Sequence, residues 1–258
     1  MIWVAAGTEE GRRIAKALRE KGHRILVSVT TEYGASLLRR ELKGEIIIDQ
    51  ALDYGGMETV LKKFPITQIV DATHPYAEEV SKNLITLSED HIIPYLRYER
   101  PSLRELIGKT EGKVQEGDVL WVKKTEEAIE ALRKTSENLL LTTGSKTLEK
   151  YVEALETARI YARVLPVPKV MEHCKALGLP PGQILGIQGP FSKAFNRITL
   201  EEYKIRHLVT KDSGLTGGVP EKIQGALEAK AQIIVIERPA IVYPKVFSNM
   251  MDLLEEIR

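Results

Sequence analysis

The 258-residue sequence holds a single cysteine, Cys174. One thiol cannot build an intramolecular disulfide framework or a cysteine metal cluster. Its setting in "VMEHCKALG" is a helical pattern, which suits a small buried apolar residue better than a nucleophile. An excess of charge of one sign is also missing: 37 basic residues stand against 36 acidic ones, for a formal net charge of +1. A surface built mainly to grip nucleic acid is therefore not expected, although a local basic cluster could hold an anionic small molecule. No apolar run approaches the ~20 residues of a membrane span. The opening "MIWVAAGTEEGRR" puts no charged leader before its apolar run, which argues against a signal peptide. A soluble, cytoplasmic protein is the expectation, with a monomer as default. The G-x-S-x-G elbow of many hydrolases is absent. The histidines, His23, His74, His91, His173 and His207, include no H-x-x-x-H pair, so no metal site is expected.

What is present is a recurring alternation. Apolar content is 43%, enough for a core in one large domain or two small ones. Short β-branched runs lead through Gly, Thr or Ser turns into amphipathic helical stretches: "IWVAAG" into "TEEGRRIAKALREKG", "RILVSVT" into "EYGASLLRREL", "QIVDAT" into "HPYAEEVSKNLITLSED". Such alternation predicts α/β architecture, with parallel strands and crossover helices covering both faces. Ala77, Val80, Leu84 and Leu87 form one stripe, and Pro75 suits the first turn of that helix. The pattern lapses over "RYERPSLRELIGKTEGKVQEGD", which reads as a crossover between domains, and resumes from "NLLLTTG" through "QIIVIERP" to a final helix at "VFSNMMDLLEEI". The halves look alike in architecture, without a visible residue-level repeat.

Ligands in open α/β sheets bind outside the carboxyl ends of the strands, so the residues there are the ones to read. Gly7, Thr8, Glu9 and Gly11 form a candidate nucleotide loop, in which glycine admits a pyrophosphate and the next helix offers N–H groups. Two glycines fall short of G-x-G-x-x-G, and a plain strand-to-helix turn explains the loop equally well. The second strand ends in Ser28, Thr30 and Thr31, with Glu32 later than the usual ribose-binding acid. With Arg39 and Arg40 nearby, this suits a 2′-phosphate, although such arginines often only solvate a helix face. "DATHPY" supplies Asp71, Thr73, His74 and Tyr76. "TTGSK" supplies Thr143, Ser145 and Lys146, and "QGPFSK" supplies Gly189 and Lys193. "KDSGLTGG" brings Lys211, Asp212, Ser213 and Gly214 into a loop whose glycines let backbone approach something closely. Arg97, Arg100 and Arg163 extend the basic set.

Taken in order, "GTEEGR", "DATHPYA", "LLTTGSK" and "TKDSGLTGG…K…A…IIVIERP" make the chain resemble the precorrin-6A reductases, including the cobalt-precorrin-6A reductases, over nearly its whole length. The resemblance implies two Rossmann-like domains, an NADPH-binding one over 1–97 and a second α/β domain over 98–258, with cofactor and substrate in the cleft between them. It implies NADPH as hydride donor to a polycarboxylate tetrapyrrole, precorrin-6A or its cobalt form. Cofactor binding is expected from Gly7, Thr8, Glu9, Gly11, Thr30, Thr31, Asp71, Thr73, Ser213 and Gly214. Substrate binding is expected from Tyr76, Arg97, Arg100, Thr143, Ser145, Lys146, Gly189 and Lys193. His74, Asp71, Lys211 and Asp212 are the candidate catalytic residues. Two other readings compete: a two-domain enzyme like uroporphyrinogen-III synthase, which uses no nucleotide, and a non-catalytic NADP sensor.

Overall fold

The computed structural model describes residues 1–107, 118–214 and 217–257. The first elements are β1 (Ile2–Ala6), α1 (Glu9–Glu20), β2 (Ile25–Ser28), α2 (Glu32–Glu41), β3 (Ile46–Ile48), α3 (Tyr54–Lys63), β4 (Gln68–Ala72), α4 (Glu78–Asp90), β5 (Tyr95–Tyr98) and α5 (Leu103–Ile107). Then come β6 (Val119–Val122), α6 (Thr125–Leu132), β7 (Asn138–Leu141), α7 (Leu148–Ala154), β8 (Ile160–Val164), α8 (Pro168–Ala176), β9 (Ile184–Gly186), α9 (Lys193–Glu202), β10 (Ile205–Lys211), α10 (Val219–Glu228) and β11 (Gln232–Ile236). The chain closes with β12 (Val246–Phe247) and α11 (Met250–Glu256).

Two compact units result: Met1–Arg100 with Pro239–Arg258, and Pro101–Arg238. Each holds one six-stranded parallel sheet flanked by helices, ordered β12-β5-β4-β1-β2-β3 in unit 1 and β6-β11-β10-β7-β8-β9 in unit 2. Numbered in chain order without the outer strands β12 and β6, the other five strands of each sheet run 3-2-1-4-5, as in a Rossmann sheet. The expected α/β class with two Rossmann-like parallel sheets is therefore what the chain forms. The sixth strand differs in origin, since unit 1 receives its own last in the chain and unit 2 receives its own first.

Strand periodicity explains the layers. In β1, Ile2, Val4 and Ala6 pack with Ile14 and Leu18 of α1 and Leu38 of α2, while Trp3 and Ala5 pack with Met57 and Val60 of α3 and Leu84 and Leu87 of α4. Each fully buried side chain of this size contributes about 1.5–3 kcal/mol. In unit 2, Leu140, Leu208, Ile233 and Val235 pack against Leu200 of α9 and Ile223 and Ala226 of α10. Cys174 is buried in α8, as its pattern suggested. Among the described residues no helix is long and apolar enough to cross a membrane.

Four readings change. The segment 239–258 belongs with the first unit, not with 98–238: Val246 and Phe247 pair with Arg97 and Tyr98, and Leu253, Leu254 and Ile257 enter the α1 core. Val246 and Phe247 thus form a strand, and the last helix starts only at Met250, capped by Asn249. Pro75 precedes α4 instead of opening it, in a turn closed by the Ala77 N–H donating to the His74 carbonyl at 2.8 Å. And a residue-level repeat does exist. After the first strand comes Gly7-Thr8 or Gly144-Ser145, near the end of the fourth Asp71 or Asp212, and after the fifth Glu99-Arg100-Pro101 or Glu237-Arg238-Pro239. The strand β6 and helix α6 lie in a stretch given no element in the sequence reading, part of whose crossover, 108–117, falls outside the described residues.

Candidate functional site

In unit 1 the sheet order reverses between β1 and β4, so their carboxyl ends open the crevice. The turn after β1 is tightly specified. Thr8 caps α1: its hydroxyl accepts from the Gly11 N–H at 3.0 Å and donates to the Ala72 carbonyl at 3.0 Å. A Cβ on Gly11 would sit 3.0 Å from Ala6 and 3.1 Å from the Ala72 oxygen, so glycine lets α1 lie directly on the strands. This is the part played by the third glycine of a dinucleotide fingerprint, with Thr8 at the place of the second. Gly7 is exposed, and a Cβ there would make only ordinary contacts with Thr73 and the His74 backbone. Glu9 is exposed, whereas Glu10 is buried and paired with Arg100 at 2.8 Å. Arg100, expected to bind substrate, is thus half of a closed ion pair.

The second strand end is partly committed. The Ser28 hydroxyl accepts from the Trp3 indole at 2.8 Å, and Thr31 caps α2. Thr30 and Arg40 are exposed, but Arg39 pairs with Glu32 at 3.1 Å and Asp49 at 2.5 Å. Arg39 therefore has its counter-charges already, whereas Thr30 and Arg40 remain exposed.

Asp71 and Arg97 are corrected most. Both side chains are fully enclosed. Asp71 Oδ1 accepts from the Thr73 N–H at 3.0 Å, the Thr73 hydroxyl at 2.7 Å and Arg97 Nη1 at 2.7 Å. Its Oδ2 accepts from the Ser81 hydroxyl and the Tyr95 phenol, each at 2.7 Å. Arg97 also donates to Glu99 at 2.7 Å and lies under the Tyr243 ring. Burial opposes the Arg97 charge, but Asp71 and Glu99 outweigh it and its pKa rises; burial, then Asp71, push the Tyr95 phenol far upward. A carboxylate with five donors and no exposure does not meet a solute. Asp71 instead fixes Thr73 and the turn carrying His74 and Tyr76, which are half-exposed. His74 Nδ1 accepts from the Tyr76 N–H at 3.3 Å, which in the neutral ring leaves the proton on Nε2. A small pocket here is lined by Thr8, Glu10, Thr73, Pro75, Arg97, Tyr98 and Arg100.

The equivalent crevice of unit 2 opens between β7 and β10. Thr143 is buried and bonded to Thr147 at 3.2 Å, Gly144 turns at φ +83°, Ser145 is half-buried and Lys146 exposed. Burial, then the Lys146 charge, lower the pKa of half-buried Lys211. The two lysines expected for different tasks thus act on each other. Asp212 is again a fastening: buried, it accepts from the Leu103 N–H at 2.9 Å and the Gly214 N–H at 3.3 Å, with Arg238 at 3.6 Å. So held, its oxygens are committed to fastening the loop. Ser213 is half-buried, and Gly214 is buried at φ +68°. Gly189 is exposed before a cis bond to Pro190. Lys193 is no strand-end residue; it pairs with Glu228 at 2.7 Å on an exposed helix face. Among the described residues, no three of His, Cys, Asp and Glu gather as metal ligands.

The model of the precorrin-6x reductase CbiJ/CobK family matches residues 1–258. The chain belongs to the precorrin-6x reductase family. A cobalt-precorrin-6A reductase of Methanocaldococcus jannaschii is 38% identical over 99% of this chain and 97% of its own. One from Priestia megaterium is 36% identical over 100% of this chain and 98% of its own. The solved CobK precorrin-6A reductase shares the fold, at TM-score 0.77 and 21% identity, over 99% of this chain and 95% of its own.

For this member of the reductase family, the sequence reading missed Lys222 and Arg238 as polar centres. Arg238 also donates to the carbonyls of Asp212 at 3.0 Å and Pro101 at 3.1 Å, and the repeated Glu-Arg-Pro was its available signal. Lys222 sits in the helical stretch "PEKIQGALEAK", where a lysine reads as solvated. Yet its ammonium is enclosed and donates to the Thr210 hydroxyl at 3.3 Å; burial, then Arg163, pull its pKa down to about 7, against a smaller pull upward from Glu221.

Proposed function

We propose that the chain is a cobalt-precorrin-6A reductase, using NADPH to reduce one macrocycle double bond and form cobalt-precorrin-6B in cobalamin biosynthesis. The observation that carries the cofactor is the β1–α1 turn of unit 1, where Gly11 brings the start of a 12-residue helix onto the strands at the point where the sheet order reverses. The residues present fit a dinucleotide: Gly7 and Thr8 would lie along its pyrophosphate, and Thr30 with Arg40 would meet the 2′-phosphate. Bound there, NADPH would supply the hydride. The relatives over a third identical that are named above carry cobalt in the substrate's name, which favours the cobalt form here. Membership in a family of reductases favours this reading over the synthase-like and sensor-like ones.

The protein's own part is to orient and to hold protons. Asp71 and Arg97 fix Thr73 and the His74 turn, and Asp212 with Arg238 fixes the loop after Lys211. Lys146 and Lys211 would meet substrate carboxylates. The proton delivered to the macrocycle would come from Lys211 Nζ, whose hold on it is weakened by burial, or from His74 after its ring has taken up a second proton to become an imidazolium. Mixing the protein with NADPH and cobalt-precorrin-6A should bleach nicotinamide absorbance in step with the macrocycle's spectral change. NADH and metal-free precorrin-6A should be poorer partners. No NADPH oxidation with either macrocycle would sink the reading.

A further inference from the structure

Unit 2 encloses a second pair of cations that the crevice between β7 and β10 does not account for. Arg163, on β8, is 6% exposed. Its Nη1 donates to Asn196 Oδ1 at 2.9 Å, and the Phe191 ring lies 4.8 Å from the guanidinium carbon. Its Nη2 is buried and has no hydrogen-bond acceptor among the described residues. Buried donors are ordinarily paired, and a charged one left unpaired is costly. Lys222 makes the arrangement costlier. It is close enough for Arg163 to depress its pKa, and it lies in the first turn of α10, where the helix field favours anions. Among the described residues neither cation has a carboxylate within ion-pair distance; Glu221 acts on Lys222 more weakly than Arg163 does.

We propose that Arg163 and Lys222, with Thr210 beside them, form an oxyanion site that takes a side-chain carboxylate of the substrate. The assignment rests on the tetrapyrrole reading for the identity of the ligand, but not for its charge. A carboxylate offers two coplanar oxygens, one for the free guanidinium edge and one for the ammonium. Asn196 and Phe191 already hold the guanidinium plane, so little order is lost on binding. Phe191 follows the exposed Gly189–Pro190 bond and gives the site an apolar wall.

The test uses the full chain and propane-1,2,3-tricarboxylate as probe. Thermal unfolding should move upward with tricarboxylate in the wild type and stay put in Arg163→Met and Lys222→Met, while Lys222→Arg keeps the response. Competitive acetylation of wild-type Lys222 needs no variant: the probe should protect it. In turnover, Lys222→Met should raise KM for the macrocycle roughly tenfold or more with kcat and NADPH affinity unchanged, the loss of about one charge-assisted bond. Protection by inorganic phosphate or NADPH but not by tricarboxylate would overturn the carboxylate assignment. No protection by any of the three would overturn the site. If Lys222 is protected by tricarboxylate while the wild type fails to reduce either macrocycle, the reductase reading fails and the oxyanion site stands.

Discussion

The two sheets share a strand order but settle their charges in opposite ways. In unit 1, each arginine near the β4 and β5 ends is matched: Arg97 by Asp71 and Glu99, Arg100 by Glu10. In unit 2 the matching Asp212–Arg238 pair is looser, at 3.6 Å, and cation stands near cation: Lys146 lowers the pKa of Lys211, and Arg163 that of Lys222. A closed network holds its loops in place with the charges already matched. Arg163 and Lys222 are the pair for which we propose that a ligand brings the negative charge. Identical topology thus leaves the division of labour to the residues at the strand ends.

The sharpest way to break the contrast is to open the closed network. Arg97→Met leaves Asp71 buried without its cation, which should cost about 3–5 kcal/mol. Urea unfolding would measure it; Arg238→Met, at a longer and less enclosed pair, should cost less. Equal losses would mean that the two fastenings are alike after all. Next in size is Gly11→Ala. Its methyl would meet Ala6 at 3.0 Å and the Ala72 carbonyl at 3.1 Å, both on strands that cannot yield. We expect about 1–3 kcal/mol of lost stability, with NADPH affinity, read by fluorescence, falling alongside.

Lys222→Met should act in the other direction. Burial and Arg163 bring the Lys222 pKa from 10.5 to about 7, so folding disfavours its charged form. Below about 7 the ammonium is charged in both states and its penalty is fully present. Between about 7 and 10.5 the unfolded chain binds more protons, so wild-type stability rises with pH. The methionine variant removes that rise and should gain about 1–3 kcal/mol at neutral pH. Unfolding midpoints taken across that window would decide it; a loss of stability at neutral pH would show that the cation is already compensated.

Much of the architecture was legible because it is local. β-branched runs and helical stripes mark parallel strands and crossovers, and both sheets follow. The destination of the C-terminal segment was not, because Val246 and Phe247 are too few to show a strand period, and the pairing with Arg97 and Tyr98 spans most of the chain. The strand-end rule found Asp71, Arg97, Lys211 and Asp212, but not what they do there. A carboxylate's role depends on which donors fold back onto it, and Ser81, Tyr95 and Leu103 lie on other elements. The Glu-Arg-Pro repeat was in plain sight, yet it carries meaning only once both fifth strands are known.

The smallest predicted effect probes the open side of the contrast most directly. Lys211 is lowered first by burial and then by Lys146, a like charge that makes its ammonium harder to keep. Lys146→Ala removes the repulsion and leaves the burial, so the Lys211 pKa should rise without returning to that of a free lysine. Lys146 is exposed, so stability should change little. If Lys211 holds the proton that the macrocycle receives, the alkaline limb of the kcat profile should move to higher pH in this variant. If His74 holds it, the limb should stay while Lys211 acetylation still records the shift. An unmoved Lys211 would mean that the two lysines do not feel each other, and that burial alone lowers it.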